Sequence, residues 1–285
     1  MASVQYGLAT IDGDALTAAA TMPVEPPALV ANPINLVRAS RIPADTTSGR
    51  WVNGFAYTPE GIGVLGVGDS CSGEWEEMNH ADPFTSDWYP YVLTAEYRCS
   101  TFGYSQNQYV DRAKQLLEAA TPKLLEWEFW DGPLTKAASL GNSYLTEVAV
   151  SHAATNVQEA FGWLENLLGD CGYGGRGMIH CPPVVVPYIG TFVRREGNLL
   201  LTLRDTIVVP GSGYARYAAA PGSPPVNPSF DIVATGVTDV RLGDIIVEDD
   251  VAIDRATNTV VIKAQRYACV SWDELCEFKV TVTPT

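Results

Sequence analysis

The segment Tyr109–Trp130 constrains this chain more than any other. Its apolar residues Val110, Ala113, Leu116, Leu117, Ala120, Leu124 and Leu125 recur at three- and four-residue spacing, while Asp111, Lys114 and Glu118 lie off that stripe. The spacing predicts a long amphipathic helix, and such a helix must lay its apolar face on another layer of structure. Pro122 removes a backbone donor within it, so the helix is expected to kink or divide there, with Thr121 as N-cap of the second part. Asp131 and Gly132 should end it.

Around this helix the periodicity changes. Val92 to Phe102 alternates, with Leu93, Ala95, Tyr97 and Cys99 on one side and Thr94, Glu96, Arg98 and Ser100 on the other, which predicts a half-buried strand. A second helix is expected from Val157 to Leu168, where Thr155 and Gln158 have capping-box spacing and the run GDCGYGGRG brings it to a stop. A short strand follows near Gly177–Ile179, and Pro182 to Phe192 reads either as a helical turn or as an extended piece. Asn198 to Val209 reads as a hairpin pair, and Pro210 to Pro228 as a loop with five prolines. Strands are expected again at Arg241–Val247, Thr259–Val270 and Glu277–Thr283. Helices and strands of this kind define an α+β fold, and no internal repeat is visible.

Two stretches lack any such period. Residues 1 to 48 carry Pro23, Pro26, Pro27, Pro33 and Pro43 among short apolar runs, which predicts an extended arm with little core of its own. Such an arm contributes contacts between chains, so losing residues 1 to 40 should leave a folded domain. Gly49 to Tyr91 is rich in Gly, Ser and Asp and in large aromatics (Trp51, Phe55, Tyr57, Trp75, Phe84, Trp88, Tyr89), which reads as a long hairpin or loop excursion. Aromatics on a loop are costly to leave in water, so they are expected to pack on another chain.

Charge narrows the function. The chain carries a formal net charge of -15, and its first hundred residues hold four arginines and no lysine. Tight nucleic-acid binding needs clustered Lys and Arg, so no specific nucleic-acid binding is expected. The start lacks a basic region followed by an apolar one, and no apolar run is long enough to span a bilayer, so a soluble, non-secreted protein without a membrane partner is expected. The cysteines Cys71, Cys99, Cys171, Cys181, Cys269 and Cys276 show no CxxC pairing, and a chain of 285 residues does not need staples to fold. Reduced thiols are the expectation.

Candidate chemistry is sparse. The glycine run 169 to 177 lacks the GxxxxGK[ST] pattern of a phosphate loop and follows a helix, where glycine caps and turns. Cys171, His180 and Cys181 have no fourth ligand at finger spacing, and Cys71 with His80 is no better. Ser151 beside His152 is a sequence neighbour without a GxSxG elbow, and His80, His152 and His180 are the three histidines available to any nucleophile. Glu74, Glu76 and Glu77 suit general acid–base work, but a charged run in a Gly-rich loop reads first as a solvated face. Asp249, Asp250 and Asp254 lack the calcium-loop pattern. Trp127, Phe129 and Trp130 can stack a base or sugar, yet at a helix end they read as core or subunit contact. No catalytic, cofactor-binding or metal residue is assigned, and no cofactor is expected.

The order of these elements resembles the major capsid proteins of tailed bacteriophages, the Hong Kong 97-type fold. DRAKQLLEAATPKLLEWEFWDG resembles the family's spine helix, closing on Trp130 and Gly132. GMIHCPPVVVPYIGTFVRREGNLLLTL and VVPGSGY resemble its axial domain, and VRLGDIIVEDDVAIDRATNTVVIKAQRYACVSWDELCEFKVTV resembles its final peripheral-domain strands. The resemblance implies an N-arm at 1–48, an E-loop hairpin at 49–91, a peripheral domain with spine helix at 92–154 and 241–285, and an axial domain at 155–240. It implies a non-enzymatic, homo-oligomeric subunit that self-assembles into pentamers and hexamers of an icosahedral shell enclosing the genome. It further implies scaffolding, portal and decoration proteins as partners, with assembly in the host cytoplasm and residence in the virion. Alternatives are an encapsulin-like shell subunit, another virion protein such as a decoration or tail component, and a carboxylate-dependent hydrolase built on Glu74 or Glu77.

Some members of that family weld subunits through an isopeptide bond from an E-loop lysine. Residues 49 to 91 contain no lysine, and Arg50 is their one basic residue, whose guanidinium stays protonated and is a poor nucleophile. Boiled, reduced particles should therefore run as single chains on a denaturing gel, and a ladder surviving reduction would show that the loop is misplaced or that another nucleophile is used.

Overall fold

The computed structural model describes residues 30–57, 86–100, 106–172, 177–214, 229–247, 252–254 and 259–283. Its helices are α1 (Leu36–Ala39), α2 (Gln106–Asp131), α3 (Pro133–Ala137), α4 (Val157–Asp170) and α5 (Val186–Ile189). Its strands are β1 (Phe55–Tyr57), β2 (Ser86–Trp88), β3 (Tyr91–Ser100), β4 (Val150–Ala154), β5 (Met178–Cys181), β6 (Val193–Glu196) and β7 (Leu199–Thr202), then β8 (Ile207–Pro210), β9 (Phe230–Thr235), β10 (Asp239–Leu242), β11 (Ile246–Val247), β12 (Ala252–Asp254), β13 (Thr259–Ser271) and β14 (Phe278–Val282).

The long helix α2 forms where the apolar period places it, but it is not divided at Pro122. Thr121 is buried within the helix, and its hydroxyl donates to the Leu117 carbonyl at 2.7 Å, so it caps nothing. An interior proline costs about 3 kcal/mol. Packing of both halves of the helix on neighbouring structure offsets that cost, with Ala113, Leu117, Leu125 and Phe129 all buried. The helix ends at Gly132 as expected. That residue has φ +64°, and a Cβ there would fall inside the Tyr144 ring, so glycine is required twice over.

Helix α2 lies on a sheet centred on β13. Strand β3 runs antiparallel along one edge of β13 over its full ten residues, from Tyr91 opposite Ala268 to Ser100 opposite Thr259. Strands β10, β11 and β12 pair in turn along the other edge. The expected alternation in β3 holds from Tyr91 to Arg98, with Tyr91 and Leu93 buried and Val92, Thr94, Glu96 and Arg98 exposed.

A second sheet has the order β4-β14-β9-β5-β8-β7-β6, with β4–β14 and β5–β8 parallel and the other pairs antiparallel. Strands β7 and β8 are the hairpin pair expected from the sequence, and β6 adds a further strand. The expected strand near 177–179 is β5, and the Pro182–Phe192 stretch resolves into a 3-10 turn and α5. The centre of this sheet is buried on both faces, with all four residues of β5 and Val208, Val209 and Pro210 of β8 buried. Ile179, Val208, Ile232 and Ala234 face α4, whereas Met178, Val209 and Val233 join the core around α2.

Four further sequence expectations change. First, the closing strand β14 was expected with strands 241–271, but it pairs between β4 and β9 in the second sheet. Alternation reports that a strand is half-buried and says nothing about its partner. Second, the cap of α4 is Asn156 rather than Thr155. The Asn156 side chain accepts from the Glu159 amide at 2.8 Å, and the Glu159 carboxylate accepts from the Thr155 amide at 3.0 Å, a box shifted by one residue. Third, cysteines 171 and 276 are not reduced thiols: they form a disulfide with Cα atoms 6.0 Å apart. A sequence separation of 105 residues leaves no spacing signal for such a bond.

Fourth, residues 30 to 48 are not an extended arm without core. Pro33 and Pro43 bracket one short helical turn, α1, capped by Asn35, whose side chain accepts from the Arg38 amide at 3.0 Å. Leu36 is fully buried in the main core. Arg41 donates two hydrogen bonds to the Asp239 carboxylate at 2.6 and 2.7 Å, and its backbone bridges to Thr238 and Val240. Residues 1 to 29 lie outside the described residues. Removal of residues 1 to 40 would therefore take core with it. Leu36→Ala should cost about 3 kcal/mol, read as a lower denaturation midpoint at an unchanged slope. A loss below about 0.5 kcal/mol would mean that this turn is not part of the folded body.

Candidate assembly site at the hairpin root

Strands β1 and β2 pair antiparallel, with Phe55 opposite Trp88 and Tyr57 opposite Ser86. They are the root of the expected hairpin, whose residues 58 to 85 lie outside the described residues. Three attachments fix this root to the body. The Trp88 side chain is buried, with its ring 4.5 Å from that of Trp272 at the end of β13. The Asn142 side chain accepts from the Tyr89 amide and donates to the Tyr89 carbonyl, both at 2.8 Å, so a side-chain amide replaces a neighbouring strand. The Glu274 carboxylate accepts from the Ser86 hydroxyl on one oxygen and from the Ser143 hydroxyl on the other. Glu274 begins a 3-10 turn capped by Asp273, whose buried carboxylate accepts from the Leu275 amide at 3.0 Å.

The root of the arm is held by helix α2. Glu126 of α2 is almost fully buried, and its carboxylate accepts from the Leu36 amide at 3.1 Å, the Gly213 amide at 3.0 Å and the Ser212 hydroxyl at 3.3 Å. One side chain thus joins α1, α2 and the loop after β8. Burial pushes its pKa up to about 7, against the lowering effect of these donors. Two residues on, buried Glu128 accepts from the amides of Leu134 and Thr135, both at 2.8 Å, and caps α3. Gly213 packs so closely on α2 that a Cβ would strike the Lys123 carbonyl and the Trp127 amide.

None of the sequence candidates assembles into a reactive centre. His180 is fully buried, with its two ring nitrogens 3.0 Å from the Tyr214 hydroxyl and 2.9 Å from the Thr235 hydroxyl. Burial lowers its pKa to about 3, so it is a neutral core residue. Cys181 is a buried thiol whose pKa burial raises, and Cys171 is bonded to Cys276. His152 faces Glu159 at 3.4 Å and its ring lies 4.5 Å from that of Trp163, while Ser151 is exposed on the adjacent position of β4, where successive side chains point to opposite faces. Phe129 and Trp130 are core, and Trp127 is half-buried. In the glycine run, Gly177 lets β5 pass close to Leu168, a packing role. Asp254 stands at the end of β12. Cys71, Glu74, Glu76, Glu77, His80, Asp249 and Asp250 lie outside the described residues. Among the described residues, no group of three His, Cys, Asp or Glu side chains is placed to hold a metal ion, and no helix is long and apolar enough to cross a membrane.

Sequence reading missed Glu126, Glu128, Asn142 and Glu274. A signal existed for the first two, since acids two residues apart sit among Leu124, Leu125, Trp127, Phe129 and Trp130. A buried carboxylate there must find donors. Asn142 and Glu274 carried no signal, because their partners come from distant segments.

No family model and no curated protein matches the chain. Solved structures do match over nearly its whole length. A protein of Gordonia phage Cozz, 9% identical, aligns over 100% of this chain and 98% of its own with a TM-score of 0.52. The capsid of an empty GTA particle is 12% identical over 94% and 97%, with a TM-score of 0.50. The holo-SrpI encapsulin complex from Synechococcus elongatus PCC 7942 is 11% identical over 95% of both chains, with a TM-score of 0.53. The chain therefore has the α+β fold of the Hong Kong 97-type shell proteins, which phage capsids, the GTA capsid and encapsulin share. The likeness is to structural proteins rather than to an enzyme.

The buried Glu126 gives the site a pH signature. Its folded pKa of about 7 lies above the usual 4.5, so its stabilising contribution is complete below pH 4.5 and is lost as pH rises through 7. The loss amounts to about 3 kcal/mol. His180 acts with opposite sign, because its depressed pKa removes stability as pH falls from 6.5 towards 3. The test is therefore a comparison: from pH 5 to 8 the wild type should lose more stability than Glu126→Gln by about 2.5 kcal/mol. Parallel curves would rule out a buried, protonated Glu126.

Proposed function

We propose that this chain is the major capsid protein of a tailed phage, self-assembling into pentamers and hexamers of an icosahedral shell around the genome. The observation that carries the reading is the near-complete overlap with the Cozz phage and GTA capsid chains. The net charge of -15 agrees with a container that must not bind its DNA tightly. In this reading the arm occupies residues 1–48, with 30–48 as its root docked on the body, and the E-loop 49–91. The peripheral domain is α2 with the sheet around β13, within 92–154 and 241–285. The axial domain is built on 155–240, and the pairing of β4 and β14 extends it to both flanking segments. Scaffolding, portal and decoration proteins are the partners, and the virion is the final location.

An encapsulin-like shell is the second reading, favoured by the SrpI likeness. Sedimentation and negative-stain microscopy of the purified protein should show rings or closed shells far above the 30.7 kDa chain. A compact monomer at micromolar concentration would exclude both readings. Particles recovered from the native host separate them, because a phage shell protects genome-length DNA from nuclease, whereas an encapsulin-like shell encloses protein cargo.

A further inference from the structure

The disulfide lies beside the residues that hold the root of the hairpin. Cys276 closes the 3-10 turn Glu274–Cys276, and its partner Cys171 follows the last turn of α4. Glu274, two residues before Cys276, is the residue whose carboxylate holds Ser86 of the hairpin root and Ser143 beside Asn142. Trp272, two residues further back, carries the Trp88 contact. A turn of three residues has almost no stability of its own. What fixes it is its attachment on each side: Trp272 and Asp273 buried before it, and the bond from Cys276 to α4 after it. Leu275 between these points is 48% exposed, so solvent reaches the middle of the turn.

We propose that Glu274 is a positioning residue for the hairpin, and that the Cys171–Cys276 bond is a redox-dependent fastening that holds Glu274 against Ser86 and Ser143. Closed, the bond ties the second sheet's helix α4 to the root of the hairpin and sets the direction in which β1 and β2 leave the body. Opening it takes two electrons and two protons from a thiol reductant. A monothiol such as glutathione attacks the half-buried Cys171 sulfur and releases Cys276 as a thiolate, which takes up a proton. A second monothiol then frees Cys171, and the two reductant molecules leave as their own disulfide. A reducing compartment thus leaves the root loosely held, and an oxidising one locks it. The inference deepens the shell reading by placing control of the hairpin in an intrachain bond, but it rests on contacts within one chain and is tested on the chain itself.

Hydrogen exchange of the purified full-length protein reads the attachment at the Tyr89 amide, which Asn142 accepts, and at the amides of Ser86–Trp88. Adding a thiol reductant, or substituting Cys171→Ser with Cys276→Ser, should speed exchange at these sites by about tenfold while the β9 amides of Ile232–Ala234 stay protected. Glu274→Ala should do the same with or without reductant. Glu274→Gln should stay near the wild type, since a serine hydroxyl can accept from the new amide as readily as it donated to the carboxylate. Faster exchange spread evenly over both sheets would mean that the bond only adds general stability, and no change at Tyr89 would mean that it does not reach the root. Two free thiols titrated at these cysteines after air oxidation would remove the fastening altogether. None of these outcomes depends on whether particles form.

Discussion

The carboxyl end of α2 is the piece on which the rest of the structure depends. Phe129 meets the edges of His180 and Trp272 at 4.9 and 4.8 Å, and Trp130 lies 5.0 Å from Tyr214. These rings belong to both sheets and to the loop after β8, so one helix end is the common filling between layers that otherwise have separate cores. Aromatic burial of this kind is the largest apolar contribution a single residue makes. It also fixes geometry, because close-packed rings do not slide.

The polar groups at this helix end follow from the same burial. From Leu125 to Trp130 the helix is buried or half-buried on every side, so an acid there must find donors within the protein. Glu126 finds them in the arm root and the loop after β8, and Glu128 finds them in the turn into α3. The Glu126 carboxylate therefore joins segments that are far apart in sequence, whereas Glu128 closes a local turn. In the shell reading proposed above, the arm and the hairpin are the parts that would reach other chains. Their roots must be stiff if contacts made at their tips are to carry force into the body. The Asn142 amide at Tyr89, the Glu274 carboxylate at Ser86 and the Glu126 carboxylate at Leu36 supply that stiffness through directed hydrogen bonds.

Much of the fold was legible in the sequence. The strand at 91–100, the long helix and its glycine stop, the helix at 157–170 and the hairpin at 199–210 all follow from local periodicity and turn chemistry. The Hong Kong 97-type resemblance rested on the order of those elements, and full-length likeness to known shells agrees with it at 9–12% identity. Such identity is too low for residue roles to carry across, which is why the candidate site had to be read from contacts.

What the sequence determined by itself is the inventory: which segments are helix or strand, which face of each is apolar, that the charge is acidic, and that no catalytic motif is present. What only the tertiary structure decided is which elements meet. The partner of β14, the docking of Leu36, the bond between Cys171 and Cys276 and the Glu274 contact with Ser86 all join residues separated by about one hundred positions or more, apart from β14's pairing with β9 at roughly fifty. The physical reason is the range of the forces involved. Backbone hydrogen bonding and side-chain period act over a few residues and leave a mark in the local pattern. Burial acts between whatever surfaces the fold brings together, and a local pattern can state that a face must be covered without stating by what.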